Sequence, residues 1–211
     1  KKHISRKDNK PEEVVKEMLQ ILERLYLPSL MIDRLGDLIA VNPGFLMYCN
    51  LDQSAFERQP VNSIAKFNIM RLLFGTEFDQ QRRMLGEDWT KFSHTAMMIF
   101  RTLSLRHRAH PDFVNLLTHL NRCRLFRESW QTVYYKEQDH FIDNVFVNIN
   151  HPVYGPLSIM SSSITAVSTY SDVILYSLIP ITPETSKAFT QMMEGGGVGK
   201  SVLIPNWPHK E

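Results

Sequence analysis

Apolar positions along the chain change their period four times, and each change marks a switch between helix and strand. Val14, Met18, Ile21, Leu22 and Leu25 recur at helical spacing behind Pro11, Glu12 and Glu13, which suit a first helical turn. Pro28 ends that helix. The stretch PSLMID (28–33) then reads as a short strand, RLGD (34–37) as a turn in which Gly36 supplies the permissive backbone, and 38–41 as a second strand. Asn42 and Pro43 start a helix carrying Phe45, Leu46 and Cys49.

Residues 52–135 show only the helical period. Residues 64–74 are amphipathic, and Trp89, Phe92, Ala96, Ile99 or Phe100, and Leu103 form a longer stripe. Pro111 restarts a helix with Phe113, Leu116, Leu117 and Leu120 in register, and Leu125, Phe126 and Trp130 continue in another. The pattern then switches to period two. Val145, Val147 and Ile149 alternate with Asn144, Asn148 and Asn150, the signature of a strand with one dry face. Two further apolar runs, 157–167 and 173–179, follow short turns and complete an antiparallel meander. Pro183 begins a last helix to about Met193.

Two strands, a helical block, three strands and a closing helix predict an α+β fold. One antiparallel five-stranded sheet carries its helices on one face, with a ligand cavity between sheet and helices. The expected organisation is a basic arm at 1–10, one domain at 11–193 with its helical insert at about 52–135, and a glycine-rich flexible tail at 194–211.

Composition narrows the function. At 43% hydrophobic and 22% charged residues, the 211-residue chain has enough apolar content for a core without a disulfide or metal staple. A net charge of +2 gives no reason to expect nucleic-acid or membrane binding by the whole surface. Cys49 and Cys123 are isolated thiols, read as small buried hydrophobes in a reducing, cytoplasmic setting. The arm at 1–10 has no apolar core, so no signal peptide is expected, and no apolar run is long enough to cross a bilayer.

Chemical motifs are sparse. EGGGVGKS (194–201) resembles a phosphate-binding loop, but Glu194 replaces the first glycine and no strand precedes it, so it reads as tail. His107, His110, His119 and Asp112 are split by Pro111, which argues against a shared metal face. Arg101, Arg106, Arg108, Arg122, Arg124 and Arg127 read as a solvated helix face. No catalytic constellation stands out, so no enzyme, metal or cofactor is expected. The aromatic and methionine positions Phe45, Met70, Phe74, Trp89, Phe92, Met97, Phe126 and Trp130 fall on inner faces; most suit plain core, yet such linings also adapt to apolar ligands. Arg71 lies in an otherwise apolar helix, where a buried cation needs an anion. Either an internal ion pair satisfies it, or Arg71 with Asn68 holds a carboxylate head while the aromatics hold a fatty-acid-like tail.

The stretch LMIDRLGDLIAVNP (30–43) resembles the opening of a PAS domain. With NIMRLLF (68–74), HPDFVNLLTHLNRCRLFRESW (110–130) and NHPVYGPLSIMSSSI (150–164), the chain is similar to the ligand-binding domain of MmyB-like transcription regulators over about residues 14–193. The resemblance implies a PAS-like sensor of a small molecule that works with a helix-turn-helix DNA-binding unit. No such unit precedes Pro11, so DNA contact is expected only through an N-terminal domain outside this chain. A second copy of the chain, met through the first helix, completes the expected partners. The alternative is a stand-alone PAS-like sensor or scaffold signalling through a protein partner.

Overall fold

A computed structural model describes residues 11–51, 67–132, 146–167, 172–196 and 201–204. The basic arm at 1–10, both ends of the helical insert (52–66 and 133–135) and most of the tail lie outside them.

Helix α1 (Pro11–Arg24) leads into the hairpin of β1 (Ser29–Asp33) and β2 (Leu38–Val41). The turn forms where expected. Gly36 has φ +82°, and the Asp33 carboxylate accepts from the backbone N–H groups of Leu35 (2.9 Å) and Asp37 (3.0 Å). A Cβ on Gly36 would lie 3.1 Å from Ile69 Cγ2 and force a left-handed backbone on an L residue. Gly36→Ala should therefore lower stability by about 1–2 kcal/mol, measured by urea unfolding.

Helix α2 (Pro43–Tyr48) starts at Asn42, whose buried side chain accepts from the Phe45 and Ser29 N–H groups at 3.0 Å and donates to the Leu27 carbonyl at 2.7 Å. One amide thus caps the helix and ties it to the strand before it. The helical block comprises α3 (Ile69–Phe74), α4 (Asp79–Leu85), α5 (Trp89–Leu103), α6 (Pro111–Leu120) and α7 (Arg124–Thr132), with short 3-10 turns between. Strands β3 (Phe146–His151), β4 (Gly155–Val167) and β5 (Asp172–Pro180) form the meander, and α8 (Pro183–Gly196) packs back on α2 and β4.

The sheet runs β3-β4-β5-β1-β2-β6, with every pairing antiparallel. The five expected strands are present, and β3 alternates as its sequence predicts, with Val147, Ile149 and His151 inward. Two features depart from the sequence reading. The segment expected as tail contributes a sixth strand, β6 (Val202–Leu203), paired with Val41 and Ala40; Ile204 is buried and its N–H donates to the Ile39 carbonyl at 2.9 Å. An apolar triplet finds the open edge of β2 and removes a row of unpaired backbone groups.

The helices also do not share one face of the sheet. Val14, Met18 and Leu22 of α1 pack against Met31, Ile39, Val173 and Leu175, whereas Leu30, Ile32, Ile174 and Tyr176 face the helical block. Strands covered on both faces read as continuous apolar runs, which hides the alternation that would have assigned α1 its side. Since α1 spends its apolar face on its own sheet, the reason for expecting that helix to contact a second copy is gone.

Candidate functional site

Between the inner face of the sheet and the helical block lies a cavity of about 220 Å³. Period two in the strands places Leu30 and Ile32 of β1, Val147 and Ile149 of β3, Ile159 and Ser161 of β4, and Tyr176 and Leu178 of β5 on its floor. Helical spacing does the same for the roof, where α5 presents Phe92, Ala96, Ile99, Phe100 and Leu103 from one stripe. Met70 and Leu73 of α3, Met84 and Leu85 of α4, and Phe45 and Tyr48 of α2 close the sides, and Arg34 and Gly36 of the hairpin turn complete the wall.

The polar members of the lining are Arg34, Tyr48, Cys49, Gln81, Ser161 and Tyr176. Burial raises the Tyr48 phenol far above its ordinary range, with Cys49 adding to the effect. Burial also pushes the Cys49 thiol up to about 12 and raises Tyr176. All three stay protonated at neutral pH, so they offer neutral hydrogen bonds and no nucleophile. Arg34 is the one charged side chain in the lining among the described residues.

The residues expected at the site divide between two interiors. Phe45, Met70 and Phe92 line the cavity. Phe74, Met97 and Phe126 are buried in a core inside the helical block that shares Met70 and Phe100 with the cavity wall and also holds Phe113, Leu116 and Leu120, and Trp89 and Trp130 pack against it. Phe126 meets Phe74 edge-on at 5.8 Å and stacks on Trp130 at 6.0 Å, and the Arg101 guanidinium lies 4.5 Å from the Trp130 ring centre. For these five the plain core role describes their surroundings.

Asn68 and Arg71 stand outside the lining. Asn68 is fully buried and caps α3, accepting from Met70 N–H at 3.0 Å; its Nδ2 donates to the Leu35 carbonyl (2.9 Å) and to Asp37 Oδ1 (2.8 Å). Its amide is committed to joining α3 to the β1–β2 turn. Arg71 is half-buried on the same helix. The polar wall of the cavity therefore comes from residues that the sequence did not single out. Tyr176 had a signal, since it shares strand parity with Ile174 and Leu178; Gln81, a polar residue three before Met84, had none.

Beside the cavity, His151 is fixed in one tautomer. Its Nδ1 accepts from the N–H groups of Val153 (3.1 Å) and Tyr154 (3.2 Å), which leaves Nε2–H to donate to the Met47 carbonyl at 3.0 Å. Burial lowers its pKa, against the backbone bonds to Met47 and Tyr48, which raise it. Of the histidines weighed as metal ligands, His110 caps α6, its Nδ1 accepting from Asp112 N–H, and His119 Nδ1 sits 3.0 Å from the Asn115 carbonyl in the last turn of that helix. Among the described residues no group of three His, Cys, Asp or Glu is arranged to hold a metal, and no helix is long and apolar enough to cross a membrane. Arg101 and Arg127 donate to the Trp130 and Asn121 carbonyls, and Arg124 pairs with Glu128 at 3.5 Å. That basic run thus spends several of its charges within the helical block.

An antiparallel sheet that holds a largely apolar cavity against a helical insert has the layout of an α+β ligand-binding domain. Residues 14–192 match the family described as the MmyB-like transcription regulator ligand binding domain, and the chain belongs to that family. The family is a regulatory ligand-binding domain rather than an enzyme family. No curated protein matches the sequence. Among solved structures, the PAS domain from Bordetella pertussis BvgS is similar, with 11% identity, a TM-score of 0.37, and coverage of 87% of this chain and 98% of that one.

Proposed function

We propose that this domain is the sensory part of a bacterial transcription regulator, and that it binds a small, largely apolar molecule in the cavity between sheet and helical block. The observation that carries this reading is the lining itself, predominantly apolar and assembled from eight separate elements. A ligand filling it touches the sheet and the insert together, so occupancy favours one arrangement of the two.

The route outward follows from strand parity. Leu30 and Ile32 contact the cavity while Met31 between them packs under α1, and Tyr176 and Leu175 divide in the same way on β5. The sheet is a single layer between ligand and α1. A shift of β1 or β5 against the ligand therefore moves α1, to which a DNA-binding helix-turn-helix is joined through the basic arm at 1–10. Function in this reading is a population shift in a cytoplasmic protein, with DNA contacted by the other part of the regulator.

Ala96→Trp tests the site. The new ring projects from the middle of the α5 stripe into the cavity. Binding of the neutral fluorophore N-phenyl-1-naphthylamine is expected to fall by at least about tenfold, with the far-ultraviolet spectrum of the domain unchanged. Equal binding by both proteins would place the apolar site elsewhere. Native mass spectrometry of the purified wild-type chain, before and after organic extraction, would report the natural occupant.

A further inference from the structure

One phenol on the cavity wall has neither a partner nor a cover. Tyr48, the last residue of α2, lines the cavity and packs its ring against Phe45 (centres 6.1 Å apart) and edge-on to Phe189 (6.4 Å). Aromatic neighbours thus hold the ring, while the hydroxyl makes no hydrogen bond among the described residues. Two buried polar side-chain atoms there lack a partner and have almost no open surface, Gln81 Oε1 and His107 Nε2. The Tyr48 oxygen is not one of them, so it keeps open surface. That surface is internal. Burial is the main cause that raises this phenol, and Cys49, itself in the lining, adds to it. An oxygen set so deep, unbonded and yet open, faces the cavity.

A hydroxyl so placed is uncommon in native interiors without a partner, and it is destabilising until one arrives. The surroundings say which kind. Burial raises Tyr48, Cys49 and Tyr176 alike, so this wall resists negative charge, and a carboxylate set against it meets the same penalty. A neutral acceptor does not. At about 220 Å³ the cavity lies below the roughly 300 Å³ at which drug-sized pockets begin, so its occupant is compact. We infer that the Tyr48 hydroxyl donates a hydrogen bond to the ligand, and that the ligand is a compact, neutral, apolar molecule bearing a carbonyl or ether oxygen. The inference rests on the cavity being the ligand site. Tyr176 is the other phenol in the lining, but it stands in register with Ser163, which is exposed, so its end of the wall is nearer solvent. Tyr48 is in this view the residue that picks oxygenated molecules from hydrocarbons of the same shape.

The test uses three probes of one shape, each titrated against bound N-phenyl-1-naphthylamine at about pH 8. They are acetophenone, α-methylstyrene, in which a methylene group replaces the carbonyl oxygen, and benzoate. Tyr48→Phe deletes the unbonded oxygen and keeps the ring contacts. It is expected to bind acetophenone about tenfold more weakly than the wild type, and α-methylstyrene at least as tightly. In the wild type the carbonyl stretch of bound acetophenone should lie at lower frequency than in hexane, and Tyr48→Phe should return it to the hexane value. Acetophenone affinity and carbonyl frequency that are the same in both proteins overturn the inference, and so does a loss that follows Tyr176→Phe instead. Tighter binding of benzoate than of acetophenone by the wild type overturns it too, and assigns the head group to Arg34. The wild-type spectrum, with Tyr176→Phe as its control, decides even where Tyr48→Phe fails to fold. If neither the fluorophore nor any probe binds, the cavity is not the ligand site, and the inference falls with that reading.

Discussion

Phe126→Ala is expected to cost about 3–5 kcal/mol of unfolding free energy, while Phe92→Ala costs below about 2 kcal/mol and changes ligand affinity instead. The two residues are the same size and lie on neighbouring helices, so the contrast isolates their surroundings. Phe126 is fully buried, with Phe74, Phe100 and Trp130 rings 5.8–6.1 Å away on different sides. Its removal leaves a hole lined by aromatic rings that cannot collapse into it, and the cavity term adds to the lost transfer energy. Phe92 is half-buried and already borders an empty volume, so its loss enlarges that volume and forfeits contacts on one side only. Urea unfolding reads the first effect, and fluorophore titration reads the second. A Phe126→Ala protein of near wild-type stability that no longer binds the fluorophore would return Phe126 to the ligand site.

That contrast also locates where the sequence stops being informative. The strands were legible because period two in Val147 and Ile149 is incompatible with a helix, and because Gly36 and the turn residues mark a hairpin. The cavity was legible as a consequence of strands and helices on a shared face. Its lining was only partly so. Two apolar interiors, one within the helical block and one between block and sheet, draw on the same residue types at the same spacing. Met70 belongs to both, while Phe74 one turn later belongs to the block alone. No periodicity distinguishes the two sides of α3. Asn68 looked like a ligand group because a polar residue beside an apolar run is conspicuous, yet caps produce the same conspicuous polarity. Gln81 was silent for the opposite reason. A glutamine on an amphipathic helix reads as surface until the carbonyl that orients it is known.

Replacing Asp37 by Asn is expected to remove a pH dependence of stability worth about 1–3 kcal/mol that develops between about pH 4 and about pH 8. Asp37 sits at the end of the β1–β2 turn, and its carboxyl is pushed up to about 8 from the usual 3.8, by burial first and by the Asp33 carboxylate second, with the Asn68 hydrogen bond working the other way. The sign follows from proton binding. The folded chain holds a proton that the unfolded chain has released, so this contribution is complete below about pH 4 and is lost as pH rises through about 8. By surface area Asp37 is only half-buried, and solvent screens part of the charge, which keeps the effect to a few kcal/mol. His151 acts at the other end of the scale. Its lowered pKa gives stability that is present above about 6.5 and lost as pH falls, which opposes the Asp37 trend on the acid side. Asp37→Asn keeps an oxygen to accept from Asn68 Nδ2 and carries no charge. Its urea midpoint should match the wild type at about pH 4 and exceed it by a margin that grows up to about pH 8. Parallel profiles for the two proteins would show that Asp37 is ionised in the fold throughout. The expected crossing has a functional side as well. The Asp37–Asn68 bond at 2.8 Å ties the turn bearing Arg34 and Gly36 to the cap of α3, which carries Met70 and Leu73. Charging Asp37 sets a half-buried carboxylate against that of Asp33 within this turn, and ligand affinity measured across the same pH range should weaken in the wild type while Asp37→Asn holds it constant.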